Sequence, residues 1–96
     1  MKLTIHPMAW AEFREAARYL RLRKRGLAQS LRAEVKKGLQ QILASPQTYP
    51  ILVGSIRRCL IKRFPYGIIY RGEADEIFVL AIMHLKRQPD YWKDRL

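Results

Sequence analysis

The feature that most constrains what this chain can fold into is a change of hydrophobic period at Ser45-Pro46. Before it, Ala9, Phe13, Ala16, Ala17 and Leu20 recur at helical spacing, and after a break at Gly26 so do Leu27, Leu31, Val35, Leu39 and Ile42. Each set lies on one side of a helix, so the two predict an αα-hairpin joined by a tight basic corner. Beyond the Pro46–Pro50 connection the period becomes strand-like, with turn residues at Gly54-Ser55, Pro65 and Gly72 to Asp75. Three short strands fit between them, Ile56 to Arg63, Gly67 to Arg71 and Glu76 to Met83, close enough in sequence for antiparallel pairing. The run Ile77 to Met83 has no polar alternation, which predicts a central strand buried on both faces, one of them under the hairpin.

The two ends complete the pattern. Leu3 to Ile5 is a β-prone run that stops at Pro7, and proline suits the first turn of a helix because its missing N–H would have no partner there. Pro89 followed by Asp90-Tyr91-Trp92 predicts a turn leading into a short terminal helix. The expectation is a single α+β domain over residues 1–96, with an N-terminal strand, an αα-hairpin packed on a small antiparallel sheet, and a short C-terminal tail or helix.

Length and charge narrow the functional classes. A chain of 96 residues has room for one core, and its 49% hydrophobic content excludes a disordered protein. Its 19 Lys and Arg against 8 Asp and Glu give a formal charge of +11, which points to a polyanion or an acidic partner. The lone Cys59 excludes an internal disulfide and has no second cysteine with which to begin a zinc site. No apolar run reaches signal-peptide or membrane-span length, so a cytoplasmic protein with no membrane partner is expected.

Three groups of residues carry the possible chemistry: Arg57-Arg58 on a strand, Arg63-Phe64-Pro65-Tyr66 across a turn into Gly67 to Tyr70, and Ala81 to Arg87 with Pro89, Tyr91-Trp92 and Arg95. The phrase Arg-Phe-Pro-Tyr before a strand, followed by Ala-x-x-His-x-x-Arg-x-Pro, resembles the RelE/ParE toxin superfamily, in particular its ParE-like plasmid stabilisation branch. His6-Pro7 before the first helix and Ser45-Pro46 after the second extend the resemblance over nearly the whole chain. It implies a growth-inhibiting toxin of a type II toxin–antitoxin system. The implied partner is a cognate antitoxin with an acidic wrapping segment, and operator DNA would be reached only through the antitoxin complex. No cofactor and no metal are implied.

The superfamily works in two ways. One is inhibition of an essential protein such as DNA gyrase by binding; the other is ribosome-dependent cleavage of mRNA by a metal-independent endoribonuclease. Cleavage needs a base for the 2′-hydroxyl, cations for the phosphate and an acid for the leaving oxygen. The resemblance places two of the nuclease branch's basic catalytic positions at Leu60 and Gly67, which can do neither job, while Arg58 and Arg87 fall on basic positions and Tyr91 lies near the tail tyrosine. If the chain is an RNase, Arg58, His84 and Arg87 are its expected catalytic residues, with Lys62 or His84 replacing what is lost. Binding of antitoxin or target is expected from Arg57, Arg58, Lys62, Arg63, Tyr70, Arg71, Lys86, Arg87, Tyr91 and Trp92.

Several of these residues have plainer readings. His84 carries an imidazole, a side chain that suits acid–base work near neutral pH and equally suits a hydrogen bond that locks the tail onto the sheet. Tyr70 and Trp92 read first as packing residues rather than platforms for bases. Arg57 and Arg58 point to opposite faces of their strand, and a buried arginine there would need a carboxylate from Glu12, Glu15 or the antitoxin.

Overall fold

In a computed structural model describing residues 1–96, the chain runs β1 (Lys2–Ile5), α1 (Pro7–Arg23), α2 (Leu27–Ala44), β2 (Ile51–Val53), β3 (Ile56–Leu60), β4 (Tyr66–Glu73), β5 (Glu76–His84) and a terminal 3-10 turn (Lys93–Arg95). The expected α+β arrangement is present as one five-stranded sheet in the order β1-β5-β4-β3-β2. Strands β2 to β5 are antiparallel to their neighbours, and β1 adds a parallel edge beside β5. That parallel pairing is possible because both helices lie in the connection, and a parallel crossover needs a dozen residues or more.

Local chemistry sets the helix limits. His6 caps α1, its Nδ1 accepting the Met8 N–H at 3.0 Å, with Pro7 in the first turn. Lys24 is extended, and Gly26 turns the chain into α2 with φ 88, a left-handed conformation that glycine adopts without steric cost. The first antiparallel strand differs from expectation by ending at Leu60 rather than Arg63. Arg63 takes φ 72, and the Ile61 N–H donates to the Tyr66 carbonyl to close the turn. Strand β2 was not predicted. All three of its residues are exposed, so no alternation of burial signals it.

Alternation divides the sheet into two faces. Toward the helices, Ile68, Tyr70, Ile77, Val79 and Ile82 join Ala9, Phe13, Leu31, Val35 and Ile42 in the larger core. Away from them, Ile56, Ile69, Leu80, Ala81 and Met83 form a second core closed by Trp92 of the tail. Helix α2 comes close to the sheet at Gly38, where a Cβ would stand 2.9 Å from Ile68 Cδ1.

The register breaks once between β4 and β5, with Ile69 opposite Ala81 but Tyr70 opposite Val79. Leu80 is the extra residue of this bulge, so Leu80 and Ala81 both face the tail and Ile82 returns to the helix side. Strand β1 pairs only as far as Val79, leaving the adjacent backbone of β5 without a strand neighbour on that side. Two side chains take its place. Arg95 Nη1 donates to the Leu80 carbonyl at 3.0 Å, and Glu12 Oε1 accepts the Ile82 N–H at 3.0 Å. Arg95 and Glu12 also pair with each other through contacts of 3.1 and 2.9 Å, and only 9% and 13% of their side chains are exposed. One bidentate ion pair thus ties α1, the bulge and the C-terminus together.

Candidate functional site

The basic residues singled out by sequence gather mainly at one end of the sheet. There the β3–β4 turn and the turn after β5 lie side by side, joined by the Leu85 N–H donating to the Pro65 carbonyl at 2.9 Å. Lys62, Arg63, Lys86 and Arg87 project from these turns, all exposed. Arg63 lies over the Phe64 ring at 5.6 Å. Arg87 covers the Tyr91 ring at 3.9 Å and stands 4.0 Å from Glu12 Oε2.

Arg58 and His84 are not brought together. Arg58 is opposite Ile69, whose side chain belongs to the tail-side core, whereas His84 is opposite Tyr66, which packs against the helix-side core. The two side chains therefore leave the sheet on opposite faces. The aliphatic part of Arg58 lies across Gly67, where a Cβ would meet its Cγ and Cδ at 3.0 Å. His84 meets Tyr66 edge to face at 5.1 Å, and its Nδ1 accepts the Lys86 N–H at 3.1 Å. That bond shapes the turn after β5.

The other expected residues divide between core and surface. Tyr70 is fully buried and donates to the Pro46 carbonyl at 2.6 Å; burial pushes its phenol up to about 12. Trp92 is also buried, so neither side chain offers a surface to a partner. Arg57 needs no carboxylate, because it donates to the carbonyls of Tyr49 at 2.7 Å and Gln47 at 3.3 Å. Glu12, one of the acids considered for Arg57 or Arg58, instead serves Arg95. Arg71 lies over Phe78 and pairs with Glu73 at 3.3 Å. Tyr91 sits between Arg87 and Arg95, whose guanidinium carbons are 3.9 and 5.0 Å from its ring centre. Burial, then the neighbouring Glu12 carboxylate, pushes its phenol pKa strongly upward, so Tyr91 stays neutral. Burial likewise raises the Cys59 thiol, which makes it a poor nucleophile.

A second feature was missed by the sequence reading. Between α1, α2 and the sheet runs a groove of about 320 Å³ with Ile5, Trp10, Phe13, Val35, Leu39 and Ile82 along it and Arg32 and Lys36 at its rim. Trp10 is 46% exposed, with its ring 6.3 Å from Phe13 and edge-on to it. Arg32 lies over Phe13 at 5.7 Å. Met8 and Trp10 lie off the predicted core stripe of α1, and that surplus of apolar residues was the available signal.

A strand, a helical hairpin and a sheet closed by a pinned tail, with basic turns at one end and a basic-rimmed apolar groove, define a small basic α+β protein. The profile described as "ParE toxin of type II toxin-antitoxin system, parDE" matches residues 3–89, and the chain belongs to this family of toxins, each paired with a cognate antitoxin. Among solved structures, a chain of the "Chromosomal ParDE TA system from P. aeruginosa" is similar with a TM-score of 0.67 and 20% identity, covering 90% of this chain and 97% of that one. At that identity the likeness shows the fold. No curated protein matches the sequence.

Proposed function

We propose that this toxin arrests growth by binding an essential protein, with DNA gyrase the first candidate, and that it does not cut RNA. The observation carrying this reading is the placement of Arg58 and His84 on opposite faces of the sheet. A scissile phosphate reaches one face at a time, so Arg58 cannot stabilise charge on a phosphate whose proton transfer His84 serves. Arg87 is committed to Tyr91 and Glu12, and the neutral Tyr91 is flanked by two cations. The exposed Lys62, Arg63 and Lys86, beside Arg58, are suited instead to an acidic protein surface.

The antitoxin is assigned to the groove between the helices and the sheet. Its apolar lining would take the apolar side of an inserted segment, and Arg32 and Lys36 would pair with that segment's acids.

Purified toxin should inhibit gyrase supercoiling in vitro while leaving ribosome-bound mRNA intact. Codon-linked cleavage of that mRNA would overturn the binding reading, and arrest with neither effect would exclude both gyrase and RNA. Trp10→Ala combined with Arg32→Glu should weaken neutralisation by the antitoxin and leave toxicity in place. Full neutralisation of that variant would remove the groove assignment.

A further inference from the structure

Given the binding reading above, on which this rests, we infer that the open end of the tail-side sheet face is where the toxin grips its target protein. Arg58 is the anchor, with Leu60 and Leu85 beside it. Trp92 closes this face over Ile56, Ile69, Leu80, Ala81 and Met83, yet Leu60 and Leu85 are 56% and 41% exposed on it. Leu60 shares the face with Ile56 and Arg58 because the three alternate along β3.

Leu60 stands opposite Gly67, and Gly67 opposite Met83, so this level of the sheet crosses three strands and is about 10 Å wide. Gly67 brings no side chain to it. The space is taken by its neighbours: a Cβ there would meet Arg58 Cγ and Cδ at 3.0 Å and Leu85 Cδ2 at 3.6 Å. Aliphatic packing thus holds the stem of Arg58, while its guanidinium has neither a hydrogen bond nor an ion pair. The other half-buried arginines are all engaged, Arg57 by the carbonyls of Gln47 and Tyr49, Arg71 by Glu73 and Arg95 by Glu12. Arg58 alone presents a held fork with nothing on it.

An arginine ordered before binding costs little further entropy, and one set among apolar side chains is the kind of residue that dominates protein interfaces. Lys62, Arg63 and Lys86 stand exposed on the adjoining turns without ion pairs. The matching surface therefore carries carboxylates around an apolar centre. Single-stranded nucleic acid would need open rings for its bases. The rings on this face are Phe78 under Arg71, Tyr91 between Arg87 and Arg95, and the buried Trp92. A duplex backbone would leave the two leucines uncovered. The groove assigned to the antitoxin includes Ile82 and opens on the helix side, which leaves this surface to a different protein.

The full-length chain is induced in a bacterial host without antitoxin, and the toxin level that halves growth is read by quantitative immunoblot. Leu60→Lys with Leu85→Lys should raise that level by about tenfold or more, although it adds positive charge. The same change at exposed leucines elsewhere, Leu22→Lys with Leu52→Lys, should leave it unaltered. Arg58→Ala should match the first double variant. Gly67→Ala, which pushes the Arg58 stem aside, should act several-fold and add nothing in the Arg58→Ala background. Full additivity of those two changes would overturn Arg58 as the anchor. Arrest kept or strengthened by the lysines at 60 and 85 would mean that the face holds nucleic acid, and arrest kept with escape from a co-expressed antitoxin would mean that it holds the antitoxin. Either result overturns the proposal. Messenger RNA from the same cultures separates the two levels: codon-linked cleavage removes the binding reading and this surface with it, whereas intact mRNA with undiminished arrest by the Leu60 and Leu85 variant removes the surface alone. Far-UV circular dichroism checks that the purified variants fold, and the single substitutions carry the test if the double one does not.

Discussion

The two faces of the sheet are closed in different ways. On the helix side, 13 buried residues from both helices and three strands share the load, so no single side chain decides whether the hairpin stays docked. On the other side the core has 6 buried residues, and its cover is a tail held by Trp92 and the Glu12–Arg95 pair. The first is a distributed hydrophobic contact, while the second concentrates its stability in two points. A short tail with too little apolar area to dock by burial alone needs the second.

The contrast can be broken most directly at Trp92. Trp92→Ala should cost about 3–5 kcal/mol and release the tail, measurable as a fall in the urea midpoint with new protease cleavage after His84. Glu12→Ala should cost a similar ~3–5 kcal/mol, because it leaves Arg95 nearly buried without its carboxylate and the Ile82 N–H without an acceptor. Glu12→Leu with Arg95→Met should recover part of that loss, and strict additivity in this double-mutant cycle would deny the coupling.

Alkaline pH sharpens the comparison on the helix side. Burial raises the Tyr70 phenol to about 12, above the ~10 of an unfolded chain, so the folded state holds its proton more tightly. This contribution is complete below pH ~10 and is lost as pH rises toward 12, up to roughly 3 kcal/mol in total. Urea titrations across that window should show the decline, and Tyr70→Phe should make it shallower. The smallest effect is expected at Gly38, where an added methyl would press on Ile68. Gly38→Ala should cost about 1–2 kcal/mol by thermal denaturation, offset in part by alanine's better helix propensity.

Much of the fold was legible because it rests on periodic burial. The helices fall where the apolar stripes predicted them, and β5 is the nearly continuous apolar run expected of an inner strand. Strand β2 was not legible, since an exposed three-residue edge has no pattern to read. The candidate site was only partly legible. Sequence picked out the basic residues but could not say which face each would occupy, because one extra residue in a strand exchanges faces, and the bulge at Leu80 does this in β5. Tyr70 and Trp92, counted among the binding candidates but read first as packing residues, are buried, whereas Trp10 drew no notice and is exposed in the groove.

The sequence by itself determined the architecture, the charge and the family, all of which depend on short-range spacing and composition. Only the tertiary structure decided that Glu12 belongs to Arg95, 83 positions away, and that Arg58 and His84 stand on opposite sides of the sheet. Pairings of that kind depend on strand register and chain crossing, which bring together residues whose separation along the chain has no periodicity to reveal them.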